Sequence, residues 1–466
     1  MPTRPLESWG ERLRARWRAP RSCTALLPVA GTTPEALRAR LAAAVAALRP
    51  ALRGVADLHS FRLVILPPDA RNGGVTRLLF NTVHDQPLRE HLTSLFDSAG
   101  AELTEVLAAA GLPRGRAALI DAIARHRVRE NTLYLGAINK SVGEILAEAR
   151  LREELGRRID ARLAGDPWPA GTPAETIRRQ LRDELRRDPG AGTLPLEAPA
   201  KRPRWAEVLR IIDLALTLAF PAMGVLARDM AAAIGRVGDR LARGTTWFGW
   251  GLWWVYGGVP TGLALAGVRV VEALERDLVA PAPDPQAVAR FEAEEDRHLK
   301  NTVTLYVPVK PWWSRRRLMA VILWGSERGT RHFWTAGALA DIDTIHYARI
   351  LQVDRGRSML FLSDYDGSLN RYLDDFIGAG SRAVVPISSN LAGCPPTRWL
   401  FGQTDSATFD ARWRGMIRRY QLEELLWYNA YPDLAVSEIL ANARIRAGLV
   451  ADALSEDEAR LWTQSL

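Results

Sequence analysis

Cysteine is nearly absent from this sequence of 466 residues, which contains only Cys23 and Cys394. Two cysteines so far apart exclude a disulfide framework and a four-cysteine zinc site. Lysine is scarce as well, because all but four of the 62 basic residues are arginine. The formal net charge is +9, but the arginines are scattered along the chain, so we predict no nucleic-acid partner.

Several motifs of known chemistry are missing too. The sequence has no Gly-rich phosphate loop, no Gly-x-Ser-x-Gly elbow and no His-Glu-x-x-His pair. Its first 21 residues are basic and contain Trp9 and Trp17, but the apolar run of roughly 7 to 15 residues that a secretory signal peptide needs does not follow. A membrane-surface arm and a solvated terminus are both compatible with this composition.

The most informative feature is an internal repeat, because a duplicated unit fixes domain boundaries and fold together. Three sequence blocks recur in the same order in the two halves of the chain. They are His59-x-x-Arg62 and His346-x-x-Arg349, HDxxLxxHL at 84–92 and YDxxLxxYL at 365–373, and EILAEARLR at 144–152 and EILANARIR at 438–446. The last block is identical at seven of nine positions, so coincidence explains it poorly.

Each copy alternates strand-like and helix-like segments in the order β-α-β-β-α-β, which is typical of the ferredoxin-like unit. In the first copy Thr33 is a predicted N-cap, and Pro34 occupies the first helical position. Apolar runs over residues 55–66 and 75–80, joined by Pro, Asn and Gly, predict a hairpin. The sequence therefore predicts an α+β protein.

The repeats and the segments around them give a prediction of the domain organisation. In chain order it consists of a basic N-terminal arm (1–21), ferredoxin-like repeat 1 (22–158), a Pro/Arg-rich linker (159–204), an apolar membrane-associated helical insert (205–275), a charged connector (276–299), ferredoxin-like repeat 2 (300–450) and a C-terminal tail (451–466).

The predicted insert contains two uncharged stretches, residues 214–227 and 245–268. As a helix the second would reach about 36 Å, enough to cross a hydrocarbon core of about 30 Å. Tryptophans crowd its start, as in an interfacial aromatic belt. We predict an apolar helical hairpin that associates with a membrane, either spanning it or lying on it; two buried helices are the alternative.

Duplicated units of this order resemble the dimeric α/β-barrel superfamily and are distantly similar to its dye-decolorising peroxidases. Ser363-x-x-Asp366-Gly367 resembles the Gly-x-x-Asp-Gly motif of those enzymes, with Ser in place of the first Gly. The resemblance implies that the two repeats form an intramolecular α/β barrel that binds haem. It also implies catalytic and haem-binding residues. They are Asp366 as the acid/base, Arg349 or Arg371 as the distal cation, and His346 or His332 as the axial ligand.

The same segment resembles a second motif. Asp364-x-Asp366-Gly-Ser after an apolar strand is similar to the nucleophile motif of haloacid-dehalogenase-type phosphatases. That family also needs a lysine further along the chain, and no lysine follows Lys310. A structural role is a third interpretation, because His59 and Arg62 repeat the pattern of His346 and Arg349.

We therefore expect a membrane-associated, haem-dependent, peroxidase-like oxidoreductase at the cytoplasmic face of a membrane. Its partners would be membrane lipid and a small-molecule or lipid substrate, and the sequence leaves any metal ligands beyond those of haem unknown. The alternative is a non-catalytic, membrane-bound, lipid-binding or scaffold protein, and a phosphatase with an Asp nucleophile is a third reading.

Overall fold

The computed structural model describes residues 20–137, 140–187, 259–275, 277–295, 297–332, 342–378, 381–398 and 406–466, and the single residues 196, 208, 339 and 401. Most of the predicted N-terminal arm, the end of the predicted linker and most of the predicted apolar hairpin lie outside the described residues. Within the described ranges, no helix is both long and apolar enough to cross a membrane.

The described strands form two antiparallel sheets of five strands each. In chain order the strands are β1 Arg21–Val29, β2 Leu58–Leu66, β3 Thr76–His84, β4 Arg127–Val128, β5 Thr132–Leu135, β6 Lys300–Pro308, β7 Ile345–Val353, β8 Ser358–Asp366, β9 Gln421–Leu422 and β10 Glu424–Asn429. The first sheet has the order β10-β2-β3-β1-β4 and the second has the order β5-β7-β8-β6-β9. The predicted α+β class and the predicted β2–β3 hairpin are confirmed.

Each sheet is completed by a strand from the other half of the chain. Strand β10 pairs with β2 in the first sheet, whereas β5 pairs with β7 in the second. The two halves therefore cannot separate without breaking both sheets. The repeat pattern did not predict this exchange.

The helices lie outside the sheets or beyond their ends. In chain order those described are α1 Pro34–Ala51, α2 Leu88–Ala109, α3 Arg116–Arg125, α4 Val142–Gly165, α5 Ala174–Arg187, α6 Val259–Ala273, α7 Pro285–Glu295, α8 Trp313–His332, α9 Leu369–Gly378, α10 Ser381–Ser388, α11 Ser406–Tyr420, α12 Val436–Val450 and α13 Glu456–Gln464. The Thr33 hydroxyl caps α1 and Pro34 begins it, as predicted. Helices α4 and α12, which contain the repeated block EILA, pack against each other.

Alternate residues of each strand face different layers, as the period of a strand requires. One face of the first sheet packs on α1, α2 and α3, and one face of the second packs on α8 to α11. The other faces meet each other, where Leu79 of the first sheet and Leu360 and Leu362 of the second share an apolar cluster. The candidate sites lie in this layer between the sheets and under the helices of the second half.

The duplication extends to individual ring contacts. His84 and His91 stack with ring centroids 4.0 Å apart in the first half, and Tyr365 and Tyr372 stack at 4.2 Å in the second. These residues occupy matching positions in the repeated blocks HDxxLxxHL and YDxxLxxYL. The stacking is kept while the chemistry changes, which indicates a packing role. Among the described residues no group of three His, Cys, Asp or Glu side chains could hold a metal ion.

Candidate functional site

A buried ionic cluster lies between the two sheets. Arg62 of β2 donates from Nη2 to Asp364 Oδ1 at 2.5 Å, and Arg349 of β7 donates from Nη2 to Asp364 Oδ2 at 3.0 Å. All three side chains are fully buried. Trp427 adds a bond from Nε1 to Oδ1 of Asp364 at 3.0 Å. One carboxylate therefore joins an arginine from each half of the chain.

The electrostatics of this cluster keep Asp364 ionised. Burial alone would raise the pKa of the Asp364 carboxyl, but attraction to Arg62 and Arg349 and the hydrogen bond from Arg62 outweigh it and lower the pKa. Arg349 also donates to Asn81 Oδ1. Since every oxygen of Asp364 is bonded and none is exposed, this carboxylate is not available as the nucleophile of a phosphatase.

A His–Asp pair begins the second strand of each half, and the first pair is formed by His59 and Asp85. His59 Nε2 lies 2.8 Å from Asp85 Oδ1, and Asp85 Oδ2 accepts from the backbone N–H of Val142 at 3.0 Å. Val142 is the first residue of α4. Asp85 thus caps a helix far along the chain, and not α2, whose first turn has no side-chain cap.

The second pair repeats this geometry with His346 and Asp366. His346 Nε2 lies 2.7 Å from Asp366 Oδ1, and Asp366 Oδ2 accepts from the N–H of Val436, the first residue of α12, at 2.9 Å. Burial, together with the nearby Lys300, lowers the pKa of His346 to about 4. His346 is therefore neutral at physiological pH, and both oxygens of Asp366 hold structural elements together.

Two tyrosines connect the His–Asp pairs. The hydroxyls of Tyr347 and Tyr431 are hydrogen-bonded to each other, and Tyr431 Oη lies 2.8 Å from His59 Nδ1. Lys300 Nζ donates to the Tyr431 carbonyl at 2.7 Å and lies 4.1 Å from the centre of its ring. Burial lowers the pKa of Lys300 to about 7, although the surrounding carboxylates oppose the shift.

Among the residues that the resemblance assigns to haem chemistry, those whose side chains are described do not face a common space for haem. An axial histidine needs a ring nitrogen that faces room for a porphyrin, but His346 is 2% exposed and its Nε2 is held by Asp366. Arg349 is buried in the ionic cluster, and Arg371 lies on the exposed side of α9. His332 ends α8, and its side chain lies outside what the structure describes. Of the three whose side chains are described, only His346 bonds to Asp366.

A cavity of about 110 Å³ lies elsewhere, between the outer face of the second sheet and helices α8 to α11. Its walls are almost entirely apolar. The lining side chains used below are Tyr134, Ala348, Phe361, Leu373, Phe376 and Trp413. Asp366, His346, Arg349 and Arg371 do not line this cavity.

The cause of the cavity is visible when the two halves are compared. Ala348 follows His346 by two residues, as Phe61 follows His59, and each precedes the arginine of the ionic cluster. Phe61 packs edge to face on Phe80 with ring centroids 5.3 Å apart. The second half keeps the matching Phe361 but replaces the Phe61 ring with a methyl group, which leaves space.

The strand opposite this position is the exchanged one in both sheets. Tyr134 of β5 is directly across from Ala348, whereas Tyr428 of β10 is directly across from Phe61. The first half therefore has a Tyr–Phe pair where the second has a Tyr–Ala pair. The Phe61/Ala348 difference was present in the repeated His-x-x-Arg block, but it becomes informative only once the sheet shows which face it lies on.

A second, wider cleft of about 950 Å³ lies beside β10 and α7. Its lining includes Trp427 and the half-buried Glu424, whose Oε1 accepts from the Thr304 hydroxyl at 2.9 Å. Burial raises the pKa of Glu424 to about 7. The sequence pointed to neither residue, because an isolated glutamate in a short strand has no distinguishing pattern.

Comparison with known proteins adds no assignment: no family model, curated protein or solved structure matches the chain. The interpretation of the site therefore rests on its geometry.

Proposed function

We propose that this is a non-catalytic binding protein that holds a small apolar ligand, or the apolar end of a lipid, in the cavity of its second half. The observation that carries the proposal is the cavity itself, formed where Ala348 replaces the phenylalanine of the first half. The proposal develops the lipid-binding alternative from the sequence. Haem-dependent oxidation stays a prediction, and the placement of Asp366, Arg349 and His346 does not support it.

The physical chemistry of the cavity favours an apolar guest. Apolar cavities of this order stay dry and can admit a ring-sized apolar molecule. An empty cavity loses the dispersion contacts that its wall atoms would otherwise make, and the cost grows by about 24 cal/mol for each Å³ of void. A guest that fills the space restores those contacts and removes its own apolar surface from water, at about 25 cal/mol per Å².

The ionic residues support the non-catalytic part of the proposal. Asp364 fixes one arginine from each sheet, while Asp85 and Asp366 each join a histidine to the start of a distant helix. The Asp364 contacts hold the two halves in register, and the Asp85 and Asp366 contacts fix α4 and α12 to the sheet residues of their own halves. We infer that the two facing sheets are the two halves of the intramolecular α/β barrel expected from the repeats.

We also propose that the protein works at a membrane surface, from which its ligand would come. The uncharged stretch 245–268 runs into α6, and beyond α6 the chain is tied to the second half by the ion pair of Glu275 with Arg315. Beside these two residues lie Leu274 and Trp313, which are 73% and 77% exposed. Exposed Trp and Leu near arginine are typical of a surface that enters the lipid interface.

Filling the cavity tests the ligand proposal. Ala348→Phe transplants the residue that the first half uses, so we expect binding of ethylbenzene to the purified full chain to fall at least tenfold. The reason is steric, since the new ring occupies the ligand's volume next to Phe361. Isothermal titration calorimetry and ligand-induced shifts of the melting temperature measure the effect.

A graded variant controls for overpacking. Ala348→Val fills part of the space, so its affinity should lie between those of the native chain and Ala348→Phe. The melting temperature of the unliganded variants should not fall, because cavity filling adds contacts. Measurable and equal affinity of all three proteins for ethylbenzene would refute the proposed function.

Flotation with vesicles of anionic phospholipid tests the membrane proposal. We expect Leu274→Ser with Trp313→Ser to lower the partition coefficient by roughly tenfold, because each side chain contributes on the order of 1 kcal/mol when partly inserted. Leu461→Ser is the matched control, since Leu461 is 68% exposed on α13, away from α6. If the control and the double variant float equally well, this surface is not the one that meets lipid.

A further inference from the structure

One polar group stands out in the wall of the apolar cavity. Tyr134 is 1% exposed and lines the cavity, yet its buried hydroxyl has no hydrogen-bond partner in the described part of the chain. Two other polar side chains in the wall are engaged. Thr132 donates to the Leu323 carbonyl at 3.0 Å, and the Ser388 hydroxyl accepts from Trp413 Nε1 at 3.0 Å.

An unpaired buried hydroxyl is unfavourable, because it has lost water without gaining a partner. Removing it would cost nothing in apolar packing, since phenylalanine has the same ring. Tyrosine is therefore more favourable than phenylalanine at this position only if a hydrogen-bond partner, such as a bound ligand, contacts its hydroxyl. The oxygen stays protonated, since burial and the nearby Asp343 raise the pKa of Tyr134. It can therefore donate a hydrogen bond to a ligand.

The charge of the ligand follows from the rest of the wall. None of the described side chains that line the cavity is charged at neutral pH. A carboxylate or an ammonium group would be buried there without a counter-ion, which is strongly unfavourable. Asp343, which acts on Tyr134, adds negative potential and disfavours an anion further.

We propose that the cavity is selective for an uncharged apolar molecule that carries one hydrogen-bond acceptor, such as a ketone, ester or ether, and that Tyr134 donates to that acceptor. This inference rests on the proposed function, because it concerns the same cavity. Tyr134 lies on β5, the strand that the first half contributes to the second sheet. The specificity-determining residue thus comes from one half of the chain and the space from the other.

The test uses two ligands of nearly the same shape. Ethylbenzene has no hydrogen-bond acceptor, whereas acetophenone has a carbonyl group in place of the methylene group. The affinity of the native full chain for each is measured by isothermal titration calorimetry and compared with that of Tyr134→Phe. The ratio of the two affinities is compared between proteins, because the different hydration of the two ligands then cancels.

We expect Tyr134→Phe to reduce the acetophenone-to-ethylbenzene ratio by roughly three- to tenfold, the effect of one neutral hydrogen bond. Tyr428→Phe, the matching position opposite Phe61, should leave the ratio unchanged. The melting temperature of unliganded Tyr134→Phe should be equal to or higher than that of the native chain, since an unpaired hydroxyl is removed.

Two outcomes would overturn the inference while the proposed function stands. One is binding of both ligands to the native chain with a ratio that Tyr134→Phe leaves unchanged. The other is a lower melting temperature for unliganded Tyr134→Phe, because the hydroxyl would then already have a partner. If neither ligand binds the native chain, the proposed function itself is wrong and the inference falls with it.

Discussion

Replacing Asp364 with asparagine is expected to lower the free energy of unfolding by about 3 to 5 kcal/mol, the cost of breaking a buried ion pair by removing one partner. The substitution keeps the size of the side chain but leaves Arg62 and Arg349 buried without their shared counter-charge. Because each arginine belongs to a different sheet, the loss should affect the whole chain. Urea unfolding followed by tryptophan fluorescence and by circular dichroism measures it.

The control for this prediction is an ion pair on the surface. Asp374 binds Arg414 at 2.5 Å, and the Asp374 side chain is 67% exposed. Exposed pairs contribute about 0 to 1 kcal/mol, so Asp374→Asn should change stability little. Replacing both arginines and Asp364 with apolar residues should recover part of the loss, since no charge is then buried. A similar small loss for Asp364→Asn and Asp374→Asn would show that the cluster does not hold the sheets together.

The sequence predicted the local elements of this fold well. Thr33, Pro34 and the Pro-Asn-Gly turn act through neighbouring residues only, so their effects could be recognised from the order of residues alone. The repeat also predicted that His59 and His346 are equivalent, and the structure gives both a bond to an aspartate. The pattern was right about equivalence because duplicated sequences keep duplicated contacts.

Contacts between residues far apart in the sequence were harder to predict. Nothing in residues 132–135 indicates that β5 pairs with β7 and not with the strands of its own half, since both sheets offer an apolar edge. Asp85 and Asp366 each come shortly before a helix in the sequence, but their carboxylates accept from the first N–H groups of α4 and α12, which lie much further along the chain. Which helix begins next to a given carboxylate depends on the tertiary structure, and the residues around that carboxylate in the sequence do not specify it.

The cavity could be predicted only from a difference between the two repeats, since no sequence motif marks it. Motifs of known chemistry drew attention to Asp364 and Asp366. The structure places Asp364 in an ion pair that joins the two halves, and Asp366 in bonds to His346 and to the start of α12 within the second half. Ala348 carries no chemistry, and Tyr134 lies in a short strand of ordinary composition. Both became informative only when the sheet pairing placed them opposite each other on the helix-covered face.

Replacing Glu275 with glutamine is expected to release α6, at the end of the predicted apolar insert, and the residues just after it, without unfolding the rest of the chain. Glu275 is buried between Lys310 and Arg315, so the substitution leaves two buried cations unpaired. We expect amide hydrogen exchange in residues 259–280 and 308–316 to become at least 100-fold faster, because the penalty for breaking such a pair is several kcal/mol. Exchange in β2, β3 and β8 should change little.

The local character of this effect follows from the contacts of the segment. Glu272 of α6 accepts from the Thr397 hydroxyl and from the Phe401 N–H, so α6 is attached through carboxylates and not through a sheet. Asp277→Asn is the matched control, since Asp277 is two residues from Glu275 but binds Arg412 at the surface. Uniformly faster exchange in Glu275→Gln would mean that this ion pair supports the whole fold. Unchanged exchange would mean that other contacts are sufficient to hold α6. The position of the surface around Leu274 and Trp313 would then not depend on the ion pairs of Glu275.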